Sequence, residues 1–219
     1  MPRSRPFEFA FVAVLVAHLL LLFIDQAALA ATTKVLLLPL LMLMLGAELW
    51  NRKIILAAML FSWIGDILLI QSEKPIFFML GLGSFLIAQL SYGVGFLRRA
   101  GKTEPGVLKK QPIKVLPVLT LAFLVYARLY PSLGDLVIPV TIYVGAITFM
   151  MLAAVHRGGF APAGNKILVA GAMLFMLSDT LLAWNRFLEP VQYADFWVML
   201  TYGLAQYGIA KSWQFKSQD

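Results

Sequence analysis

Apolar residues run through this chain in long unbroken blocks, and polar residues collect in the short stretches between them. Divided at charged or Pro/Gly breaks, the blocks fall at about 7–24, 31–49, 53–70, 75–97, 112–130, 135–155, 165–185 and 191–211. Each approaches the ~20 residues that an α-helix needs to cross a bilayer. The pattern predicts an all-α membrane protein with eight transmembrane helices. It also predicts that residues 1–219 form a single polytopic membrane domain, because little chain is left for a separate soluble one. The first block follows Arg3 and Arg5 in the manner of a signal peptide. Its nearest small-residue cleavage site, Ala28 to Ala31, is a poor one, so the block is read as the first helix.

Composition agrees and prunes the chemistry. Hydrophobic residues make up 61% of the 219 and charged residues 13%. Soluble domains carry about 25% charged residues. Disorder, a nucleic-acid-binding domain and a disulfide-stapled module are excluded on these numbers. The chain has no cysteine and two histidines, His18 and His156. That removes thiolate nucleophiles, Cys-ligated metals and three-histidine metal sites. Without a G-x-S-x-G elbow, any chemistry falls to carboxylates, Lys, Tyr, Ser and amides.

The net charge of +7 then reads as topology rather than as a polyanionic partner. With both termini cytoplasmic, the inner segments hold fourteen of the 18 Lys and Arg. These are Arg3, Arg5, Arg52, Lys53, Arg98, Arg99, Lys102, Lys109, Lys110, Lys114, Arg157, Lys166, Lys211 and Lys216. The outer side receives Lys34, Lys74, Arg128 and Arg186. Trp50 and Trp213 fall near the inner interface and Trp184 and Trp197 near the outer one, as an aromatic belt requires. The basic stretch 98–114 suits anionic lipid headgroups.

Few charges remain inside the apolar blocks, and each needs a reason, since a charge at mid-bilayer costs about 2.5–3.5 kcal/mol on insertion scales. Asp66 and Asp179 each lie 12 residues into their helices, about 18 Å from the inner boundary. Lys34 lies 14 residues before Glu48, at about 21 Å. Two carboxylates and one ammonium at a common depth suit a single interior site. The competing reading is structural: Lys34 salt-bridged to one aspartate as interhelical glue. His18 reads as an interhelical hydrogen-bond donor. Gln89, Tyr92, Gln206 and Tyr207 suit either packing hydrogen bonds or substrate contacts. Ser62 and Ser178 lie four residues and one residue before the aspartates. The segments AMLFSWIGDILL (58–69) and AMLFMLSDTLL (172–182), followed by Ala88-Gln89 and Ala205-Gln206, read either as a parallel 4+4 internal repeat or as a chance likeness.

Taken in order, these elements resemble the YhhN-type lysoplasmalogenase family of integral membrane proteins. The landmarks are Lys34 in KVLLLPLL, F-S-x-x-G-D at 61–66, G-x-x-S-F-L-x-A-Q-x-x-Y at 81–92 and L-F-x-L-S-D-x-L-L-A at 174–183. Val35 stands where the family commonly has proline, and Gln89 where it commonly has histidine. A glutamine hydrogen-bonds but does not shuttle a proton. The resemblance implies hydrolysis of the vinyl ether bond of lysoplasmalogens to a fatty aldehyde and a glycerophospho-head group. It implies Asp66 and Asp179 as the catalytic acid/base pair, with Lys34, Gln89, Tyr92, Ser178 and Gln206 binding substrate or tuning charge. The expected substrate is a lysophospholipid drawn from the membrane lipids, with no metal, no organic cofactor and no nucleic acid. A bacterial inner (cytoplasmic) membrane is the expected location. The rival readings are a proton-coupled small-molecule carrier and a noncatalytic lipid-binding membrane protein.

Overall fold

The computed structural model describes residues 5–46, 49, 52–98, 106–157 and 163–215. Arg3, Glu48, Trp50, Arg99, Lys102 and Lys216, used above for topology and depth, lie outside the described residues. Among the described residues all regular structure is helical. Eight helices of 15 residues or more match the eight apolar blocks. They are α1 (Arg5–Phe23), α2 (Ala27–Leu45), α3 (Lys53–Leu69), α4 (Pro75–Arg98), α5 (Val115–Leu129), α6 (Val137–His156), α7 (Ala163–Phe187) and α8 (Ala194–Ser212). A single helical turn at Val107–Lys110 and three short 3-10 turns complete the regular structure there.

The largest boundary difference is at α2, which begins at Ala27 rather than near residue 31. Ala27, Ala28, Ala30 and Ala31 are strong helix formers, so the helix extends back to the turn. Asp25 makes that turn in the left-handed region, at φ 59°. Six segments are long and apolar enough to cross a membrane among the described residues: α1, α2, α4, Pro112–Ser132, Gly134–His156 and Gly164–Phe187. The two remaining helices miss for different reasons. With 17 residues, α3 is about 25 Å long, short of a ~30 Å hydrocarbon layer. In α8 the apolar run is diluted by Asp195, Gln206 and Lys211.

The chain divides into two compact units, Met1–Ser91 and Tyr92–Asp219. In the first, α1 packs chiefly on α2, and α2 on α3. The buried face of α1 is Phe11, Leu15 and His18, at i, i+4 and i+7. Its opposite face is equally apolar and open, with Phe9 73%, Leu20 59% and Phe23 57% exposed. A helix apolar all round is a membrane helix, solvated by lipid on the side that protein leaves uncovered. Pro39 sits inside α2 without ending it. Helix α3 meets α4 where the Ser84 hydroxyl donates to the Phe61 carbonyl at 2.6 Å.

In the second unit the most extensive helix pair among the described residues is α7 with α8. Glycines make the close approach: a Cβ on Gly171 would stand 2.9 Å from the Ile209 nitrogen and 3.0 Å from the Ala205 carbonyl oxygen. Helices without a strong hydrophobic drive between them associate through such small-residue contacts. Leu129, Leu133 and Val140 bury one end of the α5–α6 hairpin against Phe187 and Leu188. Higher on the same hairpin the Tyr126 and Thr141 hydroxyls meet at 2.6 Å. Thr141 donates onward to the Val137 carbonyl, also at 2.6 Å, and therefore accepts from Tyr126.

Candidate functional site

Each unit holds one of the two intramembrane aspartates. In the first, Asp66 is 2% exposed on α3, one helical turn beyond Ser62, which is fully buried. The Trp63 indole N–H donates to the Val35 carbonyl at 2.8 Å. That bond ties α3 to the turn of α2 that carries Lys34. Asp66 is three residues beyond Trp63 and so on a neighbouring part of the same helix surface. Lys34 is half-buried. It lies one residue past Thr33 and within electrostatic reach of His18. His18 does reach the neighbouring helix, its Nδ1 lying 2.9 Å from Thr33 Oγ1, while its Nε2 is buried without a hydrogen-bond partner. Thr33 gives its one hydroxyl proton to α2 carbonyls, at 2.9 Å to Ala30. Gln89, on α4, is fully buried.

In the second unit Asp179 is half-buried on α7. The Tyr143 hydroxyl donates to its Oδ2 at 2.6 Å, from α6. Ser178, 2% exposed, directs its hydroxyl to the Val198 carbonyl at 3.0 Å and so fastens α7 to α8. The same unit holds a buried polar chain. Tyr92 donates to Gln206 Oε1 at 2.7 Å, and Gln206 Nε2 donates to the Tyr202 hydroxyl at 3.2 Å. All three side chains are at most 4% exposed. Tyr202 is further fixed by an edge contact with Phe175, ring centres 5.6 Å apart. Tyr207, the neighbour of Gln206, is half-buried.

Sequence reasoning singled out Tyr92 and Gln206 and missed that they are partners. It also missed Tyr143, Tyr202 and Trp63. A usable signal existed for Tyr143, which precedes Ala146, Ile147 and Met150 by three, four and seven residues, the spacing of one buried helix face. Among the described residues no group of three or more His, Cys, Asp or Glu is placed to hold a metal ion.

The Tyr92–Gln206 bond makes a direct prediction. Tyr92→Phe keeps the ring but leaves a fully buried amide oxygen without its donor. It is expected to cost about 1–3 kcal/mol, read as a lower melting temperature in detergent. Tyr92→Phe combined with Gln206→Leu should recover part of that loss, because the orphaned acceptor is then gone.

A family model described as the YhhN family matches residues 26–213. The chain belongs to the YhhN family. The matched stretch contains Lys34, Asp66, Gln89 and Asp179. Among curated proteins, the chain is 36% identical over 156 residues to pig lysoplasmalogenase TMEM86B, covering 71% of this chain and 61% of that protein. It is 30% identical over 163 residues to human lysoplasmalogenase TMEM86A, covering 72% of this chain and 64% of that one. A lysoplasmalogenase of Mycobacterium bovis is 30% identical over 140 residues, 63% of this chain and 51% of that protein. The chain thus aligns with about six-tenths of the length of its mammalian relatives. No solved structure is a significant match. Six apolar helices and membership of the family make the protein a multi-pass integral membrane protein.

Proposed function

We propose that the protein is a lysoplasmalogenase-like ether hydrolase, acting on the vinyl ether bond of a lysophospholipid taken from the bilayer. The observation that carries this reading is the match of residues 26–213, which include both aspartate motifs, to the YhhN family, together with the likeness to curated proteins named lysoplasmalogenases.

The chemistry needs what two carboxyl groups supply. A protonated carboxyl transfers its proton to the vinyl carbon remote from oxygen, and the double-bond electrons form the new C–H bond. The ether carbon becomes an oxocarbenium ion. Water adds there as the second, ionised carboxyl takes a water proton, giving a hemiacetal. The first carboxylate then removes the hemiacetal hydroxyl proton while the second carboxyl protonates the departing glyceryl oxygen. The C–O bond breaks, aldehyde and alcohol leave, and both carboxyls return to their starting states. Glycosidases handle an oxocarbenium-like transition state with the same pair of groups. In this reading Asp66 and Asp179 are the two carboxyls. Lys34, Gln89, Tyr92, Ser178 and Gln206 support substrate binding and charge balance.

The finer topology belongs to the same proposal. All eight long helices cross the membrane within one polytopic domain, both termini are cytoplasmic, and the two aspartate helices descend from a parallel 4+4 duplication. A bacterial inner membrane fits the basic residues that flank the helices. The deciding experiment supplies a lysoplasmalogen to the purified protein in detergent and measures fatty aldehyde. Aldehyde released in proportion to protein supports the hydrolase. Movement of intact lipid or solute across proteoliposomes with no aldehyde replaces it with a carrier, and neither activity leaves a lipid-binding protein.

A further inference from the structure

Helix α1 carries a buried polar side chain that lies outside the family-matched residues 26–213. His18 is 1% exposed, and its Nε2 has no hydrogen-bond partner among the described residues. Thr33, on α2, holds the other ring nitrogen, its Oγ1 lying 2.9 Å from Nδ1. The half-buried Lys34 follows Thr33 in the chain and is within electrostatic reach of the imidazole. We propose that His18 and Lys34 form a binding site for the glycerophosphate part of a one-chain lipid, His18 Nε2 taking the free glycerol hydroxyl and the Lys34 ammonium the phosphate. The inference rests on the lysophospholipid reading above and names the residues that tell one-chain from two-chain lipids.

Buried polar atoms in native proteins nearly always have a hydrogen-bond partner, because leaving one unpaired is costly. Nε2 therefore calls for a partner from outside the described side chains, and imidazole chemistry says of what kind. Neutral histidine carries its proton on one ring nitrogen and a lone pair on the other, and protonated histidine donates from both. A hydroxyl both donates and accepts, so it satisfies Nε2 in each of these states. An ester at the same glycerol carbon has no proton to give and brings a second acyl chain with it. The ammonium beside the ring adds the demand for an anion a few bonds from that hydroxyl. A glycerophospholipid with one chain carries its free hydroxyl and its phosphate on adjacent glycerol carbons.

Depth points to a lipid as well. His18 lies five residues before the end of α1 at Phe23, and Lys34 seven after the start of α2 at Ala27. At 1.5 Å per residue both stand about 8–10 Å from the turn that joins the helices. That turn holds Asp25 and Gln26, both exposed. Each headgroup layer of a bilayer is about 5–8 Å thick. A turn at the outer edge of that layer puts the pair where glycerol meets the acyl chains. The same stretch of α2 is tied to α3, the Asp66 helix, by the Trp63–Val35 bond.

The test measures binding of ligands to the full chain in detergent. They are saturated lysophosphatidylcholine, which has no vinyl ether to cleave, its 2-deoxy analogue, the matching monoacylglycerol and chain-free glycerol 3-phosphate. The wild type should bind lysophosphatidylcholine about twofold to tenfold more tightly than the deoxy analogue, the effect of one neutral hydrogen bond. His18→Phe should erase that preference and keep the preference for phosphate over monoacylglycerol. Lys34→Met should do the reverse, weakening both phosphate-bearing lipids about tenfold to a hundredfold and sparing monoacylglycerol. Equal binding of lysophosphatidylcholine and its deoxy analogue by the wild type overturns the proposal without any variant, so the test survives a His18→Phe chain that does not fold. A His18→Phe chain that folds and weakens all ligands alike marks a histidine that holds only water, and overturns it too. Glycerol 3-phosphate should not displace the lipid at equal concentration; displacement would make the occupant a free polar solute and overturn the lipid assignment. If the wild type releases no aldehyde from lysoplasmalogen, the hydrolase reading fails by itself, while these uncleavable ligands still decide the site.

Discussion

Asp66→Asn and Asp179→Asn, made separately, are each expected to lower kcat for aldehyde release by about a hundredfold to ten-thousandfold, the span that positioned acid and base groups contribute. Asparagine keeps the size and hydrogen-bonding outline of aspartate but neither delivers nor takes a proton. At position 179 the amide oxygen still accepts from the Tyr143 hydroxyl, which lies 2.6 Å from the carboxylate now. Folding should therefore survive, and the loss should appear in kcat rather than in the amount of folded protein. At position 66 the site is 2% exposed, so the new NH2 group must find an acceptor. A melting curve beside the kinetics separates a chemical loss from a structural one. Because the two groups act in one cycle, the double variant should be little worse than the worse single one. Full activity in both single variants would remove the paired carboxyls from the mechanism and leave the hydrolase itself intact.

The second large effect is at the α7–α8 contact. A Cβ on Gly171 would lie 2.9 Å from the Ile209 nitrogen and 3.0 Å from the Ala205 oxygen, both backbone atoms that no rotamer change can move. Gly171→Ala must push the helices apart and is expected to cost about 1–3 kcal/mol, the usual range for overpacking. Gly171→Leu should leave little folded protein. The contact is not symmetric. A Cβ on Gly208 would meet the Gly171 Cα and the Ile167 oxygen at 3.4 Å, close to ordinary contact. Gly208→Ala should accordingly be milder than Gly171→Ala when melting temperatures are compared. Equal losses at both positions would show that the helices yield together rather than at the tighter point.

How much of this could be read from the chain depends on the period of the signal. A membrane helix announces itself through some twenty apolar residues in a row, so each of the eight blocks has its helix. The exact start of α2 did not show, because a block that is apolar throughout carries no mark of its first helical residue until Asp25 is seen to make the turn. Asp66 and Asp179 were legible because a carboxylate is costly in an apolar run and stands out there. Tyrosine is cheap in the same setting. Tyr143 is one of seven in the chain, and only its distance to Asp179 gives it meaning. Ser178 was legible as a polar residue beside an aspartate, but its acceptor, the Val198 carbonyl, belongs to another helix. The Gly171 approach was hidden for the same reason, since a glycine among 16 says nothing about which helix will press against it.

Where α5 and α6 meet the bilayer, the Tyr126 proton passes to Thr141 and the Thr141 proton to the Val137 carbonyl. Two hydroxyls at the surface of the hairpin thus have no proton left to donate outward. Oil therefore meets a surface that behaves as if it were greasy, although two of its residues are polar. An acyl chain sliding along this seam would find nothing to stick to.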